Sequence, residues 1–465
     1  MNDKLKLFIA VATLSVVGII AYIPLGDFTL QQKAMIGISI LAIVYWVTEC
    51  VPIPVTGIVI ILLEVVFGVF PLAKGLSYIA SDVNMLILAG LVISIALSKY
   101  QLDRLLSLKI LSFMGENTDK IVLGMMLATA LLSMWIPNTA AAAIMAPVAA
   151  GMLELIRAEK GKSNAGKIMM IGVAYAATIG GIGTPVGTPP VPITIRNVKD
   201  ATGYEITFAK WMAWGVPIAL VLTIIAWKLL TLFYPPEVKS IPGGRSIVER
   251  ELAKIGKLNK QQKTTLAIFG VAVILWLMDS FYPVLPNWTY IASLIIIILY
   301  LMPGVGTLSW DEVSREADWG VLFLVAGGLA LGGGLRETGI VKMLADSIAT
   351  GLTGASPYLV NIVIALVAGF SVTVFCSITA TSSAFVPIAI AIASSLGMDA
   401  RFTGIVAGIA SCFAFLLPAN TPPNAIAYSY GYFKNYEMAK VGLVLTLLSS
   451  IVLIAFMPVI TLLTG

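Results

Sequence analysis

Thr188-Pro189-Pro190 and Thr421-Pro422-Pro423 are the same triplet, and each interrupts a stretch that is otherwise apolar. About fifty residues upstream of each lies a second polar break, Pro137-Asn138-Thr139 and Ser377-Ile378-Thr379. At membrane depth such breaks survive only where protein or a watery cavity covers the freed backbone groups. A helix that restarts at a break offers unpaired N–H groups and the positive end of its dipole, which suit an anion. Asn138 adds amide donors, and Thr139, Ser377 and Thr379 add hydroxyls. The carbonyls freed by Pro189, Pro190, Pro422 and Pro423 are oxygen-rich and suit a small hard cation. Two matched sets of donors fit a molecule that carries a carboxylate at each end. A dicarboxylate near the midplane needs such donors, because an unpaired buried charge is very costly.

The elements that must position these residues are membrane helices. Hydrophobic residues fill 59% of the 465 positions and charged residues only 11%, against about a quarter charged in soluble chains. Mean hydropathy is +0.97. Apolar runs of about 17 to 25 residues, the length that spans a bilayer core, recur along the whole chain and leave no room for a large soluble domain. The first, Leu7 to Ile23, is expected to be a span, because no small-residue cleavage site precedes Pro24-Leu25-Gly26-Asp27. Cys50, Cys376 and Cys412 are scattered without metal-type spacing, and histidine is absent. Lacking a nucleophile with a base, an HExxH motif or paired intramembrane carboxylates, the chain is not expected to be an enzyme or to hold a cofactor. The pI near 8.9 follows from membrane topology and implies no nucleic acid partner.

The chain is internally doubled. Gln31-Gln32-Lys33 and Trp46 match Gln261-Gln262-Lys263 and Trp276; Ala89-Gly90 matches Ala326-Gly327; Pro147 matches Pro387; and the breaks match in turn, at an offset of 230 to 240 residues. The spans are expected at 7–24, 34–50, 55–72, 84–98, 168–195, 209–233, 264–280, 288–302, 319–335, 403–430 and 438–463, with hairpins at 121–155 and 357–395. The expected fold is an all-α polytopic membrane protein: eleven transmembrane helices plus two re-entrant hairpins, in two inverted repeats, 31–233 and 264–465. Residues 1–30 form an extra first helix, and 234–263 a basic cytoplasmic linker with seven basic residues from Lys239 to Lys263. Most Lys and Arg then lie in cytoplasmic loops, with the N-terminus inside and the C-terminus outside. The expected location is the cell membrane, with lipid as a partner.

Met134-Trp135-Ile136-Pro137-Asn138-Thr139-Ala140, Gly187-Thr188-Pro189-Pro190, Ser377-Ile378-Thr379-Ala380 and Thr421-Pro422-Pro423-Asn424-Ala425 together resemble the paired signature motifs of the divalent anion/sodium symporter family. The resemblance covers nearly the whole chain. It implies a homodimer, a scaffold domain with a moving transport domain, and an elevator mechanism. It also implies a dicarboxylate, citrate or sulfate held where the two hairpin tips face one another, with Asn138, Thr139, Ser377, Thr379, Thr188, Pro189, Thr421 and Pro422 binding the substrate. One sodium ion is implied beside Ser133, Asn138, Gly183 and Gly187, and a second beside Thr373, Ile378, Ala419, Asn420 and Pro422.

The chain departs from that pattern at Pro137 and Ile378, and Val191 follows the first Thr-Pro-Pro where Asn424 follows the second. Ile378 offers no side-chain oxygen, so the residues favour one-for-one exchange of C4 or C5 dicarboxylates (succinate, malate, fumarate, 2-oxoglutarate) over sodium symport, the alternative. Arg196 is either a fixed charge that stands in for a cation or an arginine that snorkels to the interface. An anion channel would need a continuous pore, whereas paired hairpins predict an occluded site. Glu64, in an apolar segment, is expected to serve packing or a dimer contact, and Glu49 and Asp279 to end helices or pair locally. Trp46 and Trp276 are expected as interface anchors, and the glycines from Gly327 to Gly334 as a close helix contact.

Overall fold

A computed structural model describes residues 2–113, 115–282 and 285–464. All regular structure among them is helical, apart from one isolated bridge between Asn117 and Ser240. Helix α1 (Asp3–Tyr22) precedes a first array: α2 (Leu30–Thr48), α3 (Ile53–Val66), α4 (Leu72–Ser77), α5 (Asp82–Lys99), α6 (Leu102–Ser112), α7 (Thr118–Ser133), α8 (Asn138–Leu155), α9 (Asn164–Gly180), α10 (Pro190–Thr202) and α11 (Phe208–Phe233). After α12 (Gly244–Ile255), a second array runs α13 (Lys260–Phe281), α14 (Trp288–Leu301), α15 (Trp310–Glu316), α16 (Trp319–Glu337), α17 (Ile340–Leu352), α18 (Pro357–Phe375), α19 (Ile378–Ser395), α20 (Ala400–Ala410), α21 (Pro422–Ser429) and α22 (Asn435–Ala455), with α23 (Met457–Thr464) last. The two arrays have the same order of long and short helices, and each broken helix carries a single 3-10 turn in its gap, Gly181–Gly183 and Pro418–Asn420. The matching starts of α2 and α13 are both capping boxes, closed by Thr29 with Gln32 and by Asn259 with Gln262.

Eleven helices among the described residues are long and apolar enough to cross a membrane. The number is the expected one, but its members differ. Helices α8, α18 and α19 of the two hairpins qualify by length, while the spans expected at 55–72, 288–302 and 403–430 hold the shorter α3, α14 and α20. The short helices α4, α6, α12, α15 and α17 fall in stretches that lack a full apolar run. Their signal is amphipathic: α6 buries Leu102, Leu105, Leu108 and Leu111, one residue in three.

The chain divides into two compact units, each built from several stretches. The first comprises residues 1–85, 192–205 and 318–412; the second comprises 86–191, 206–317 and 413–465. In the first, α3 packs along α16 at the glycines. A Cβ on Gly327 would overlap the Gly57 backbone, and one on Gly334 would lie 2.5 Å from Glu64 Oε1. Glu64 is fully buried there, against α16. Gly327→Val should destabilise the protein by about 3 kcal/mol, because neither backbone can yield; thermal unfolding in detergent measures it. Glu49 ends α2 in a left-handed conformation at φ 47°, and Asp279 accepts a hydrogen bond from Thr289 Oγ1 at 2.6 Å.

In the second unit, the linker is laced to the base of the first hairpin. Thr118 N donates to Lys239 O at 3.1 Å, and Ile241 N to Glu116 O at 2.8 Å. Helix α12 lies on α6, where Glu251 binds both Lys254 and Arg104. The Lys254 hydrogen bond, with Arg104 nearby, holds the Glu251 carboxyl below its usual range. The two tryptophans are corrected. Trp46 and Trp276 are fully buried, and Trp276 stacks on Phe208 with centroids 4.8 Å apart while its Nε1 donates to Ser293 Oγ at 3.1 Å. Their indole N–H groups made the interface an attractive expectation, but helix packing covers them.

Candidate functional site

The second unit gathers the tip of the first hairpin, the gap of the first broken helix and the restart of the second. Helix α21 packs against both α8 and α9. Helix α7 ends at Ser133, four residues turn the chain, and α8 starts at Asn138 with Pro137 as its cap. Proline has no side-chain acceptor, so no side chain caps the first-turn N–H groups of α8. Helix α21 likewise starts without a side-chain cap at Thr421. Helix α8 thus keeps first-turn donors and a positive dipole end for an anion, whereas at α21 Pro422 and Pro423 have no N–H and the N–H groups of Asn424 and Ala425 already bond Thr421 O, so that start offers its dipole end alone. Thr139, Ala419 and Pro422 are exposed, while Asn138, Thr188 and Thr421 are buried at 7%, 3% and 5% exposure. The Thr188 hydroxyl is buried with no hydrogen-bond partner.

Around Asn138 the partners are almost all oxygens. One end of its carboxamide lies 2.7 Å from Ser133 Oγ, 3.2 Å from Ala177 O and 3.3 Å from Gly187 O. With the nitrogen turned there, the amide donates to these groups. With the oxygen turned there, the cluster is a set of hard oxygen ligands, and the one Ser133 hydroxyl proton goes either to Asn138 Oδ1 or to Ala177 O, 2.6 Å away. Glycines make the space. A Cβ on Gly187 would come within 2.6 Å of Gly181 O and 2.8 Å of Ser133 O, and one on Gly183 within 2.8 Å of Met134 Cγ.

Tyr175, Thr184 and Trp211, not anticipated from sequence, hold the two gaps together with Asn420 and Asn424 of the second break. Thr184 Oγ1 donates to Met134 O, tying the first gap to the hairpin tip. Trp211 Nε1 donates to Ile182 O at 2.8 Å. In the second gap the Tyr175 hydroxyl lies 2.8 Å from both Phe415 O and Met438 O, and Asn424 Nδ2 donates to Ala414 O at 2.8 Å and Leu417 O at 2.9 Å. Asn420 Oδ1 accepts from Leu417 N at 2.8 Å. Tyr175 and Trp211 read as ordinary core aromatics in apolar runs, and their distant partners left no local signal. Trp211→Phe should cost about 1–3 kcal/mol by stranding the buried Ile182 carbonyl. Lower thermal stability with reduced uptake is the expected result.

The first unit holds the other tip. Helix α18 ends at Cys376, strained at φ 47°, and Ser377 caps α19 by accepting from Ala380 N at 3.2 Å. Thr379 is buried at 5% exposure, Ile378 is half-buried, and the Thr373 hydroxyl is buried without a partner. Arg196 also belongs to this unit. Its Nη1 binds Asp82 at 2.7 Å and its Nε binds Asp200 at 2.8 Å, while Arg336 reaches Asp200 at 3.1 Å and Asn197 Oδ1 at 2.7 Å. Two arginines and two aspartates cancel, so Arg196 spends its charge within the network.

Residues 4–462 match the family model described as Sodium:sulfate symporter transmembrane region. The chain is 33% identical over 446 residues to the sodium-dependent dicarboxylate transporter SdcS of Staphylococcus saprophyticus, an alignment covering 90% of this chain and 85% of that protein. It is 34% identical over 445 residues to SdcS of Staphylococcus aureus, with the same coverage. Among solved structures, the Alcanivorax borkumensis YdaH transporter superposes with a TM-score of 0.55 at 14% identity, covering 100% of this chain and 99% of that one, a likeness of fold. These are transporters and not enzymes. With its four polar breaks, its helical polytopic architecture and a match along almost its whole length, the chain belongs to the sodium:sulfate symporter family, the divalent anion/sodium symporters that its motifs resemble.

Proposed function

We propose that this protein carries C4 and C5 dicarboxylates such as succinate, malate, fumarate and 2-oxoglutarate across the cell membrane, with sodium as the coupling ion. One observation carries the reading: Asn138 stands at the start of an uncapped helix, with Ser133, Ala177 and Gly187 oxygens gathered at its amide. The helix start offers N–H donors to a carboxylate, and the oxygens behind it suit sodium. Cation and anion then sit side by side, and each lowers the cost of burying the other. The relatives named as sodium-dependent dicarboxylate transporters point the same way. In this reading Thr139, Thr188, Pro189, Thr421 and Pro422 serve the anion together with Ser377 and Thr379, and Gly183 belongs to the first sodium site with Thr373, Ala419 and Asn420 at a second. Arg196, neutralised by its aspartates, is left out of the coupling.

The matching element order supports two repeats, 31–233 and 264–465, joined by a cytoplasmic linker. Placing most basic residues inside makes the repeats inverted, with the N-terminus cytoplasmic and the C-terminus outside. A homodimer working by an elevator motion completes the reading. Exchange without sodium is the second reading, favoured by Ile378 on the second tip. Counterflow in proteoliposomes loaded with a panel of dicarboxylates, citrate and sulfate, with and without sodium, tests all of this. Saturable uptake of labelled succinate that needs a sodium gradient is the expected result. Uptake that ignores sodium and requires internal dicarboxylate would establish exchange instead, and unitary currents would establish a channel.

A further inference from the structure

Among the described residues, the charged side chains that folding buries are Glu64, Asp103, Lys167 and Glu437. Lys167 and Glu437 pair with each other at 2.8 Å, and Asp103 accepts from Ser98 Oγ and Arg104 N, each at 2.6 Å. Glu64 has no such compensation. It is 0% exposed in the last turn of α3, and neither carboxyl oxygen has a hydrogen-bond partner among the described residues. An ion left bare in this way is far more costly to bury than a neutral acid.

The surroundings offer no counter-charge. Oε1 rests against Gly334 of α16, and on the neighbouring Gly333 a Cβ would collide with the Tyr78 hydroxyl. The ionisable groups of α16 near this contact are Arg336 and Glu337; those of α4 and the turn after it are Lys74 and Tyr78. Lys74 is paired with Glu337, and Arg336 with Asp200 and Asn197 Oδ1. Helix α2 places Met35 beside Gly334, while its Lys33 and Tyr45 bond Ile23 O and Ala10 O, and Glu49 ends it at the opposite end. The charge that acts on Glu64 is that of Glu337, which has the same sign. Tyr78 is half-buried and within electrostatic reach of both Glu64 and the Arg336, Glu337 and Asp200 cluster, so its hydroxyl marks a path for a proton between the carboxyl and water.

We propose that Glu64 is a proton-binding site, filled in the folded protein, that keeps α3 seated on α16. Another face of α16 sets Gly328 and Gly332 against Ser383 and Pro387 of α19, the helix that begins at the second hairpin tip. Loss of the proton puts a bare charge into the contact between α3 and α16, and α19 rests on that same helix. Alkaline pH should therefore loosen this unit and slow transport together.

Thermal unfolding of the purified full-length protein in detergent, followed from neutral to alkaline buffer, tests the site without recourse to transport. The fold holds a proton that the unfolded chain releases, so raising the pH favours unfolding. The wild-type melting temperature should fall by several degrees over that range. Glu64→Gln, neutral and of matching shape, and Glu64→Leu, neutral and apolar, should fall markedly less. In proteoliposomes with equal pH on both sides and saturating sodium, the ratio of alkaline to neutral succinate uptake should be several-fold higher in Glu64→Gln than in the wild type. Parallel unfolding profiles in wild type and variants, or equal uptake ratios, would overturn the inference. So would failure of both variants to fold, since the carboxylate itself would then hold the contact. Only the uptake arm rests on the transport reading: protein that carries no succinate at any pH would defeat that reading, and the unfolding comparison would still decide for or against the proton site.

Discussion

Asn138→Ala should abolish most dicarboxylate uptake while leaving folded protein in detergent. The substitution removes the amide at the start of α8, between Ser133 Oγ at 2.7 Å and the carbonyls of Ala177 and Gly187. A hydrogen bond or ion contact to a charged ligand contributes about 1.5–3 kcal/mol, so apparent affinity for succinate and sodium should fall about ten- to hundredfold. The helix itself should survive, because alanine is the best helix former and Pro137 still sets the start of α8. Initial rates of labelled succinate uptake against succinate and sodium concentration give the answer. Apparent affinities within twofold of wild type would remove Asn138 from the site.

Glu437→Ala should strongly destabilise the second unit. Lys167 Nζ binds Glu437 Oε1 at 2.8 Å with side chains only 11% and 7% exposed. The ammonium also lies 5.3 Å from the ring centroid of Tyr234, whose hydroxyl donates to Glu437 O at 2.9 Å. The cluster joins the starts of α9 and α22 to the end of α11, so it anchors the first broken helix at its base. Removing one partner leaves an uncompensated buried charge, which costs about 3–5 kcal/mol. The double variant Lys167→Met with Glu437→Leu should recover much of the loss, because neither charge then remains. Thermal unfolding and size-exclusion profiles compare the three proteins, and equal loss in the single and double variants would refute this account.

The span pattern was legible because crossing a bilayer demands a long apolar run, and that demand is written residue by residue. The same criterion was blind to α6, α12 and α17, which are too short and too polar to register and which declare themselves only by the stripe they bury. The breaks were legible for a related reason: proline and polar residues inside an apolar run have few explanations at membrane depth. Asn138 and Thr188 could be picked out on those grounds. Tyr175, Thr184 and Trp211 could not, because each acts on a carbonyl distant in the chain or displaced by an irregular turn. A hydroxyl or indole inside an apolar helix looks the same in sequence whether it braces a gap or fills the core.

Composition, repeat spacing and the four breaks by themselves determined a helical, polytopic, doubled membrane protein and the segments where its chemistry lies. Tertiary structure alone decided which groups keep free valence there. Pro137 leaves α8 without a side-chain cap whereas Ser377 caps α19, and Arg196 is neutralised by Asp82 and Asp200. Trp46 and Trp276 are buried, against the expectation of an interface. The physical reason is that hydrophobicity and helix breaking are local properties of the chain. Whether a donor, charge or carbonyl is already satisfied depends on what folding brings within about 3 Å of it.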